Sequence, residues 1–543
     1  MQFNNSTIQQ FNGFYSKNKL IFWFAPIILV IFFFLRLYNL TLLPVFADEA
    51  IYIRWSQVMR AEPTLRFLPL SDGKQPLFMW LTIPFLKIFS DSLVTGRMVS
   101  VLSGLGTMVG VFLLTLQLIK QLKVALLAAF LYAVVPFTVF FDRMALVDSL
   151  LTCFGVWTLF LGVLLIQYQR LDLAMITGMI LGGALLTKSP ALFFAILLPA
   201  TMVLLFSPPR RSAFAHLRGV LRLFGLWLIV YFFAYAVYNI LRLGPNFQMI
   251  AIRNKDYVLP LAHIFRQPLN PFIPHLKEIW KWFGILLTWP VFLASILGVL
   301  RGLREYRKET VLLLGWLLFP LLVQAEYARV FTPRYILFSV PVVLVFASLG
   351  IEALIRALKV NTTHCLPAIA YGGIRRWQAG SAVITKRVII LILLVLWALK
   401  FDFLLLNQPQ KAPLPRRMRS GYLEEWTSGY GIKQVAVWLK KETQKGKILV
   451  GTEGYFGTLP DGLQVYLEKV PNITVIGVGY PINEIPEKLE NALADNRVFL
   501  IVNDSRLNLT EPELQRMKLI AAYSKAVKPD GGQERLLFYE ILP

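Results

Sequence analysis

The sequence predicts a polytopic α-helical membrane protein of about eleven spans with a small C-terminal α/β domain. Of its 543 residues, 56% are hydrophobic and 16% are charged, and the mean hydropathy is +0.60. Soluble domains are nearer half apolar, with about a quarter of their residues charged. Apolar runs of roughly membrane-spanning length recur before residue 410, and later runs shorten to strand length.

The net charge of +24 does not indicate a nucleic-acid-binding protein, because the Lys and Arg residues lie between the apolar runs. Two cysteines, Cys153 and Cys365, are too few for a disulfide framework. The first apolar run is long and no small-residue cleavage site follows it, so we expect the first helix to be retained.

Eleven apolar runs are candidate spans, and a twelfth, 76–90, is short and contains Pro84 and Lys87. If 76–90 does not span, the loops on one side carry 17 Lys and Arg and those on the other carry 9. The positive-inside rule then favours 76–90 as a juxtamembrane helix and a cytoplasmic N-terminus. The candidate spans lie at 20–38, 97–119, 124–141, 149–167, 173–187, 190–206, 223–241, 282–300, 311–325, 334–350 and 388–406.

In this topology the first external loop, 39–95, holds two interfacial helices at about 48–60 and 76–90. We expect a transmembrane domain over 1–409 and an extracytoplasmic α/β domain over 410–543. The second domain is indicated by four short apolar runs, "KILVG", "NITVIGVG", "RVFLIVN" and "RLLFYEILP", with the helical patterns "IKQVAVWLKKE" and "IPEKLENALAD" between them.

The same topology places several ionisable residues together on the external face. Such residues at span ends are often only anchors that reach for the interface. A set with both signs of charge on one face is harder to explain in that way. The set consists of Asp48, Glu49, Lys74, Asp142, Arg143, Asp148, Lys188 and Arg334, with Tyr335 beside the last of them.

This mixture suits transfer of a sugar from a lipid phosphate. Lys74, Lys188 and Arg334 could balance the phosphate charge where water is scarce and stabilise it as the phosphate leaves. An attacking hydroxyl or amine needs a general base, for which Asp48 is the candidate. Displacement in a single step needs one base and a good leaving group.

Six stretches together resemble the GT-C superfamily of membrane glycosyltransferases, in the branch of protein O-mannosyltransferases and lipid A aminoarabinose transferases. The resemblance covers about residues 20–350, in the order that the family shows. It implies a polyprenyl-phosphate-linked sugar donor and an inverting transfer on the external face of the cell membrane. The stretches are "FADEAIYIRWS", "KQPLFMWL", "GRMVSVLSGLGTMVGVFLL", "DRMALVDSLLTCF", "LTKSPALFF" and "FTPRYILFSVP".

The resemblance also implies roles for individual residues. Asp48 matches the catalytic base and Glu49 its supporting neighbour. Lys74 and Lys188 match residues that hold the donor phosphate, and Arg334 with Tyr335 matches an Arg-Tyr pair at a helix start. Asp148 matches the acidic residue of the second external loop, and Arg143 stands in the same motif.

Two departures from the family pattern affect the predicted site. Gln75 replaces the first Pro of the family's "PP" stretch, and the first external loop contains no His. His263 and His275 alone make a poor zinc site. Because some relatives use a metal and others do not, we predict no certain cofactor and leave a divalent metal open.

Three other stretches keep two interpretations open. Arg253, Lys255 and His263 could touch the donor or belong to an ordinary solvated loop. The stretch 424–426, Glu-Glu-Trp, could border the acceptor entrance or serve as a linker. The Gly-rich stretch 451–462 matches no phosphate-binding loop and is better explained by turns.

The acceptor could be a protein, a lipid or a glycan. The main alternative is a transporter or flippase of lipid-linked sugars, which would place charges near the middle of the bilayer. Here the charges gather at span ends instead. A receptor or assembly subunit anchored by the membrane region is the third class, and an anchor has no need of about eleven spans.

Overall fold

The computed structural model describes residue 21 and residues 23–205, 213–360 and 394–543. Within these ranges, five helices are long and apolar enough to cross a membrane, and up to seven spans result if each of two bent helix pairs counts as one. The chain is therefore a multi-pass membrane protein, as predicted, although the count of eleven spans is not confirmed. Parts of the predicted runs 20–38, 190–206 and 388–406 lie outside the described residues.

The helices of the membrane region follow the predicted apolar runs closely. Most of them pack around one continuous core of buried apolar side chains. Their bounds are α1 Trp23–Leu37, α2 Ala47–Ala61, α3 Leu77–Phe85, α4 Ser92–Ile119, α5 Leu122–Val134, α6 Pro136–Asp142, α7 Val147–Tyr168, α8 Leu171–Leu185, α9 Leu192–Leu197, α10 Ala213–Tyr238, α11 Met249–Tyr257, α12 His263–Arg266, α13 Phe272–Leu286, α14 Trp289–Glu305, α15 Arg307–Tyr327, α16 Val340–Val360 and α17 394–407.

Two predicted spans are broken by proline. Between α5 and α6 the chain bends by 58°, because Pro136 holds the preceding Val135 in an extended conformation. The run 282–300 was predicted as a candidate span, and the structure divides it between two helices. It contains a 113° turn between α13 and α14, where Thr288 has a φ of 70° and Pro290 occupies the first turn of the next helix.

The first loop forms the two short helices that its sequence predicts. Helix α3 has 9 residues, well short of the ~20 needed to cross a bilayer, so 76–90 does not span as a helix. Helix α2 lies between the membrane helices and the C-terminal region. Its Arg60 pairs with Glu468 at 2.6 Å, and Gln57 donates to the carbonyl of Val465. These contacts fix the helix that carries Asp48.

The C-terminal region contains a five-stranded mixed sheet in the order β2-β1-β3-β5-β4. Its first three strands are parallel, and β5 pairs antiparallel with β3 and β4. Four strands were predicted, and β4 was missed. The domain boundary near residue 410 stays a prediction. The bounds are α18 Arg416–Arg419, α19 Ile432–Glu442, β1 Ile448–Glu453, α20 Asp461–Leu467, β2 Ile473–Gly479, α21 Glu487–Ala492, β3 Arg497–Asn503, α22 Glu511–Gln515, β4 Met517–Ser524 and β5 Arg535–Ile541.

Candidate active site

A cavity of about 1190 Å³ lies where α2, the turn before α3, the turn after α8, α11 and the segment after α15 meet. One part of its wall is charged and another is apolar. The charged part contains Asp48, Asp72, Lys74, Lys188, Arg253 and Arg334. The apolar part contains Leu192, Phe193, Val258, Leu259, Val323, Val330 and Phe331.

Asp48 stands in the first turn of α2 and meets two cations. Its Oδ2 lies 2.6 Å from Nη1 of Arg334, and its Oδ1 lies 3.9 Å from Nζ of Lys74. Burial would raise the pKa of the Asp48 carboxyl, but the positive charges of Arg334 and Lys74 outweigh burial and lower this pKa to about 2. Asp48 is therefore an anion held by its neighbours.

Lys74 follows a turn that requires glycine. Gly73 has a φ of 67°, and a Cβ there would lie 2.6 Å from the carbonyl oxygen of Met249. The Lys74 ammonium lies 3.1 Å from Oδ2 of Asp72 and 5.6 Å from the ring centre of Tyr52. The turn thus presents the ammonium to the cavity between two carboxylates and an aromatic wall.

Lys188 stands in the tight turn between α8 and a 3₁₀ segment. Its Nζ lies 2.7 Å from Oδ1 of Asp148, in the first turn of α7, and 4.2 Å from the ring centre of Tyr335. The other carboxylate oxygen of Asp148 is buried and has no hydrogen-bond partner within the described residues. Arg334 lies beside Tyr335 and packs over the ring of Phe46 at 5.6 Å.

The fold thus brings together Asp48, Lys74, Lys188, Arg334, Tyr335 and Asp148, which come from five of the six stretches that carry the family resemblance. Glu49 and Arg143 point elsewhere. Glu49 is fully buried and bound by Arg97 through two hydrogen bonds of 2.9 and 2.8 Å. Glu49 also accepts from the backbone N–H groups of Phe46 and Ala145. Glu49 therefore links α2 to the turn before α7.

Arg143 caps the carboxyl end of α1 and does not line the cavity. Its Nη1 donates to the carbonyls of Leu35, Arg36 and Tyr38 at 2.8–3.0 Å, and its Nη2 donates to that of Asn39. The last carbonyls of a helix lack partners within the helix, and a buried Arg can satisfy several of them. The nearby Asp142 is likewise buried, where it pairs with Arg36 at 3.1 Å.

Sequence reasoning missed Asp72 and Tyr52, and it left Arg253 open. Nη2 of Arg253 lies 2.6 Å from Oδ1 of Asp72, which adds another cation to the charged wall. For Asp72 the sequence offered one signal, the stretch "SDGK". An Asp beside a turn glycine and a lysine is typical of a polar turn. Lys255 also lines the cavity, whereas His263 contacts the carbonyl of Asn270.

The stretch 424–426 places one residue in the cavity wall. Trp426 contributes to the wall, Glu424 pairs with Arg419, and Glu425 lies 3.3 Å from Nζ of Lys528. In the Gly-rich stretch 451–462, Asp461 accepts from the backbone N–H of Gly457. Among the described residues, no group of three His, Cys, Asp or Glu side chains could hold a metal ion.

Comparison with solved structures identifies the fold. ArnT from Cupriavidus metallidurans in the apo state aligns over 97% of this chain and 98% of its own, with a TM-score of 0.57 and 14% identity. The same enzyme bound to undecaprenyl phosphate gives a TM-score of 0.54 at 15% identity over 96% and 98%. This chain has a GT-C fold. Residues 73–238 also match the family model of dolichyl-phosphate-mannose-protein mannosyltransferase, which confirms the predicted resemblance.

A third structure extends the GT-C comparison to another kind of enzyme. The oligosaccharyltransferase of Archaeoglobus fulgidus in the apo form aligns over 88% of this chain and 69% of its own, with a TM-score of 0.51 and 13% identity. No curated protein sequence matches the chain significantly. The GT-C fold is thus established by structure at low sequence identity, together with a family match over less than half of the chain.

Proposed function

We propose that the chain is an integral-membrane, inverting glycosyltransferase. It takes a sugar from a polyprenyl-phosphate donor and transfers it to an acceptor at the external face, with Asp48 as general base. The observation that supports this proposal most is the cationic wall of the cavity that holds Asp48, in which Lys74 and Arg334 pair with Asp48. The other cations of this wall are Lys188, Arg253, Lys255 and Arg329. Such a cation set suits a phosphate, and the similar ArnT has been solved with undecaprenyl phosphate.

The apolar part of the cavity suits the lipid. Leu192 and Phe193 lie beside the Lys188 turn, and Val323 and Val330 lie on the segment that leads to Arg334. An isoprenoid chain is hydrocarbon, so it gains free energy from leaving water for such a wall. A phosphate among the cations with its chain along these residues would place the sugar next to Asp48.

The chemical step then needs only groups that line the cavity. The acceptor oxygen or nitrogen attacks the anomeric carbon and forms a new bond to it. The bond from that carbon to the phosphate oxygen breaks, and the phosphate keeps the electron pair. Asp48 takes the proton of the acceptor, and the cations stabilise the negative charge that develops on the phosphate.

Because Asp48 is paired with Arg334, donor binding also changes the basicity of Asp48. A carboxylate whose pKa is about 2 is a weak base. A phosphate that binds Arg334 and Lys74 competes with Asp48 for these cations. Once the phosphate neutralises the charges of these cations, the effect of burial on the Asp48 carboxyl dominates and raises its pKa. We therefore infer that the donor binds first and makes Asp48 competent as a base.

Direct transfer is the test of the proposed function. Purified full-length protein should move a radiolabelled sugar from at least one member of a panel of undecaprenyl-phosphate sugars to protein, lipid A or glycan acceptors. It should leave undecaprenyl phosphate as product, with inverted configuration at the anomeric carbon. Movement of intact donors across a vesicle membrane without transfer would support the flippase alternative instead.

The orientation is also proposed, with the N-terminus in the cytoplasm and the C-terminal sheet outside. In a background without Cys153 and Cys365, a cysteine at the exposed position Asn491 should react with a membrane-impermeant maleimide in intact cells. A cysteine at Lys123, which is exposed in the first turn of α5, should react only after lysis. The reverse pattern would invert the topology and place the cavity on the cytoplasmic side.

A further inference from the structure

A strip of aromatic rings with one cation runs from the cavity wall onto the C-terminal sheet. The guanidinium carbon of Arg506 lies 3.7 Å from the ring centre of Trp426 and 4.2 Å from that of Tyr480. The Tyr455 hydroxyl lies beside Gly479, the residue before Tyr480, since a Cβ on Gly479 would approach this hydroxyl to 3.1 Å. The strip, defined as Trp426, Arg506, Tyr480 and Tyr455, is continuous with the cavity because Trp426 lines both.

The strip lies where an α/β sheet commonly binds ligands. Strand β1 has β2 on one side and β3 on the other, so the order in which the chain adds parallel strands reverses between β1 and β3. Ligands of open α/β sheets bind beyond the carboxyl ends of the strands at such a switch point. Tyr455 follows β1, Tyr480 follows β2 and Arg506 follows β3, so each comes from the carboxyl end of a parallel strand.

Buried polar contacts hold the strip in place. Glu453 ends β1 and accepts from the backbone N–H and the side-chain amide of Asn503, which ends β3. Arg506 lies 3.6 Å from the carboxylate of Glu453. The Trp426 loop is attached to the sheet domain because Lys525 donates to the carbonyl of Glu425. The Arg506 guanidinium and the Trp426 loop are thus held in place before any ligand arrives, which lowers the entropic cost of binding.

Two of the three rings in the strip are exposed. Tyr480 is 63% exposed and Tyr455 is 75% exposed, whereas Arg506 is largely covered by the rings on either side. Within the described residues, the Arg506 guanidinium donates no hydrogen bond, although it carries five N–H groups. Exposed flat faces beside available donors match a ligand with apolar ring faces and polar edges.

We propose that the strip binds a saccharide acceptor, with sugar rings stacked on the aromatic faces and a hydroxyl or acidic substituent bound by Arg506. A peptide that bound by strand addition would use the outer edge of β2, where Gln464 already donates to the carbonyl of Val475. The strip would lead the acceptor to the cavity, where its terminal hydroxyl meets Asp48. The inference rests on the proposed function for its role, although binding can be measured without transfer.

The test compares the wild type with the double variant Tyr455→Ala/Tyr480→Ala in full-length protein. Both side chains are exposed, so their removal should leave the fold intact. Leu519→Ala, at a 50% exposed position on β4, is the matched control. The probes are chitotetraose, maltotetraose and tetragalacturonate, with binding followed by calorimetry. We expect at least one probe to bind and the double variant to raise its Kd by about tenfold or more, with no change in the control.

The outcomes separate this inference from the proposed function. If no probe binds the wild type, or if the double variant binds as tightly, the saccharide strip is refuted. The same holds if the wild type transfers sugar to a Ser/Thr peptide and binds no probe. If a probe binds on the strip but no donor in the panel supports transfer, the strip stands and the proposed function fails. If the wild type and the double variant transfer sugar to a saccharide acceptor with equal KM for that acceptor, the proposed function stands and the saccharide strip is refuted.

Discussion

Asp48→Asn should reduce the rate of sugar transfer by about 10²- to 10⁴-fold, the usual contribution of a general base. The amide keeps the shape of the side chain and can still accept a hydrogen bond from Arg334, but it cannot take a proton from the acceptor. The KM for the donor should change little or fall, because the phosphate no longer competes with a carboxylate for the cations. Single-turnover transfer with saturating donor measures the chemical step directly.

Asp72→Asn is the matched control for this experiment. Asp72 is another carboxylate of the same cavity, bound to Lys74 at 3.1 Å and to Arg253 at 2.6 Å. Its loss should alter donor binding while the single-turnover rate stays near that of the wild type. A full transfer rate in Asp48→Asn, or an equal loss of rate in both variants with normal folding, would refute the assignment of the base.

Arg97→Met should destabilise the protein by about 3–5 kcal/mol, the usual cost when one partner of a buried ion pair is removed. Arg97 is fully buried, donates to both oxygens of Glu49 and also donates to the carbonyls of Leu40, Leu43 and Pro44. The variant leaves the Glu49 charge and these carbonyls buried without their main partner. A large fall in the thermal unfolding temperature of the detergent-purified protein is the expected result.

Two further variants test whether the loss of stability comes from the buried Glu49–Arg97 pair. Glu49→Gln in the Arg97→Met background should recover part of the loss, because it removes the uncompensated charge. Arg170→Met breaks the exposed pair with Asp172 and should have a negligible effect. Equal unfolding temperatures for Arg97→Met and Arg170→Met would contradict the structural role of the Glu49–Arg97 pair.

Asp48 faces the cavity and Glu49 faces Arg97, and this difference shows what could and could not be predicted from the sequence. Adjacent residues on an α-helix point about 100° apart, so two neighbouring carboxylates can face different surroundings. The sequence places both at the start of a helix but does not specify which one faces the cations. That choice depends on Arg97, which is 48 positions away in the chain.

Contacts between distant segments account for most of the other differences. Lys74, Lys188 and Arg334 could be grouped because Lys and Arg counts predict which loops share a side of the membrane. Arg253 meets Asp72 across 181 positions, and no local pattern indicates that pairing. Strand β4, "MKLIAAYS", was missed because its two alanines have low strand propensity and its pairing is irregular between Leu519 and Ala521.

The pH dependence of transfer from prebound donor tests the central claim most directly. With donor on the cations, the Asp48 pKa should lie above its ordinary value of 3.8, instead of at about 2. A protonated carboxyl cannot accept a proton, so the single-turnover rate should fall as the pH falls through this raised pKa, with an inflection between about pH 4 and 7. Protein returned from the lowest pH to pH 7 should recover its full rate, which excludes unfolding as the cause. A rate that stays constant down to pH 4 in the donor complex would contradict the account, because the phosphate would then not have released Asp48 from its cations.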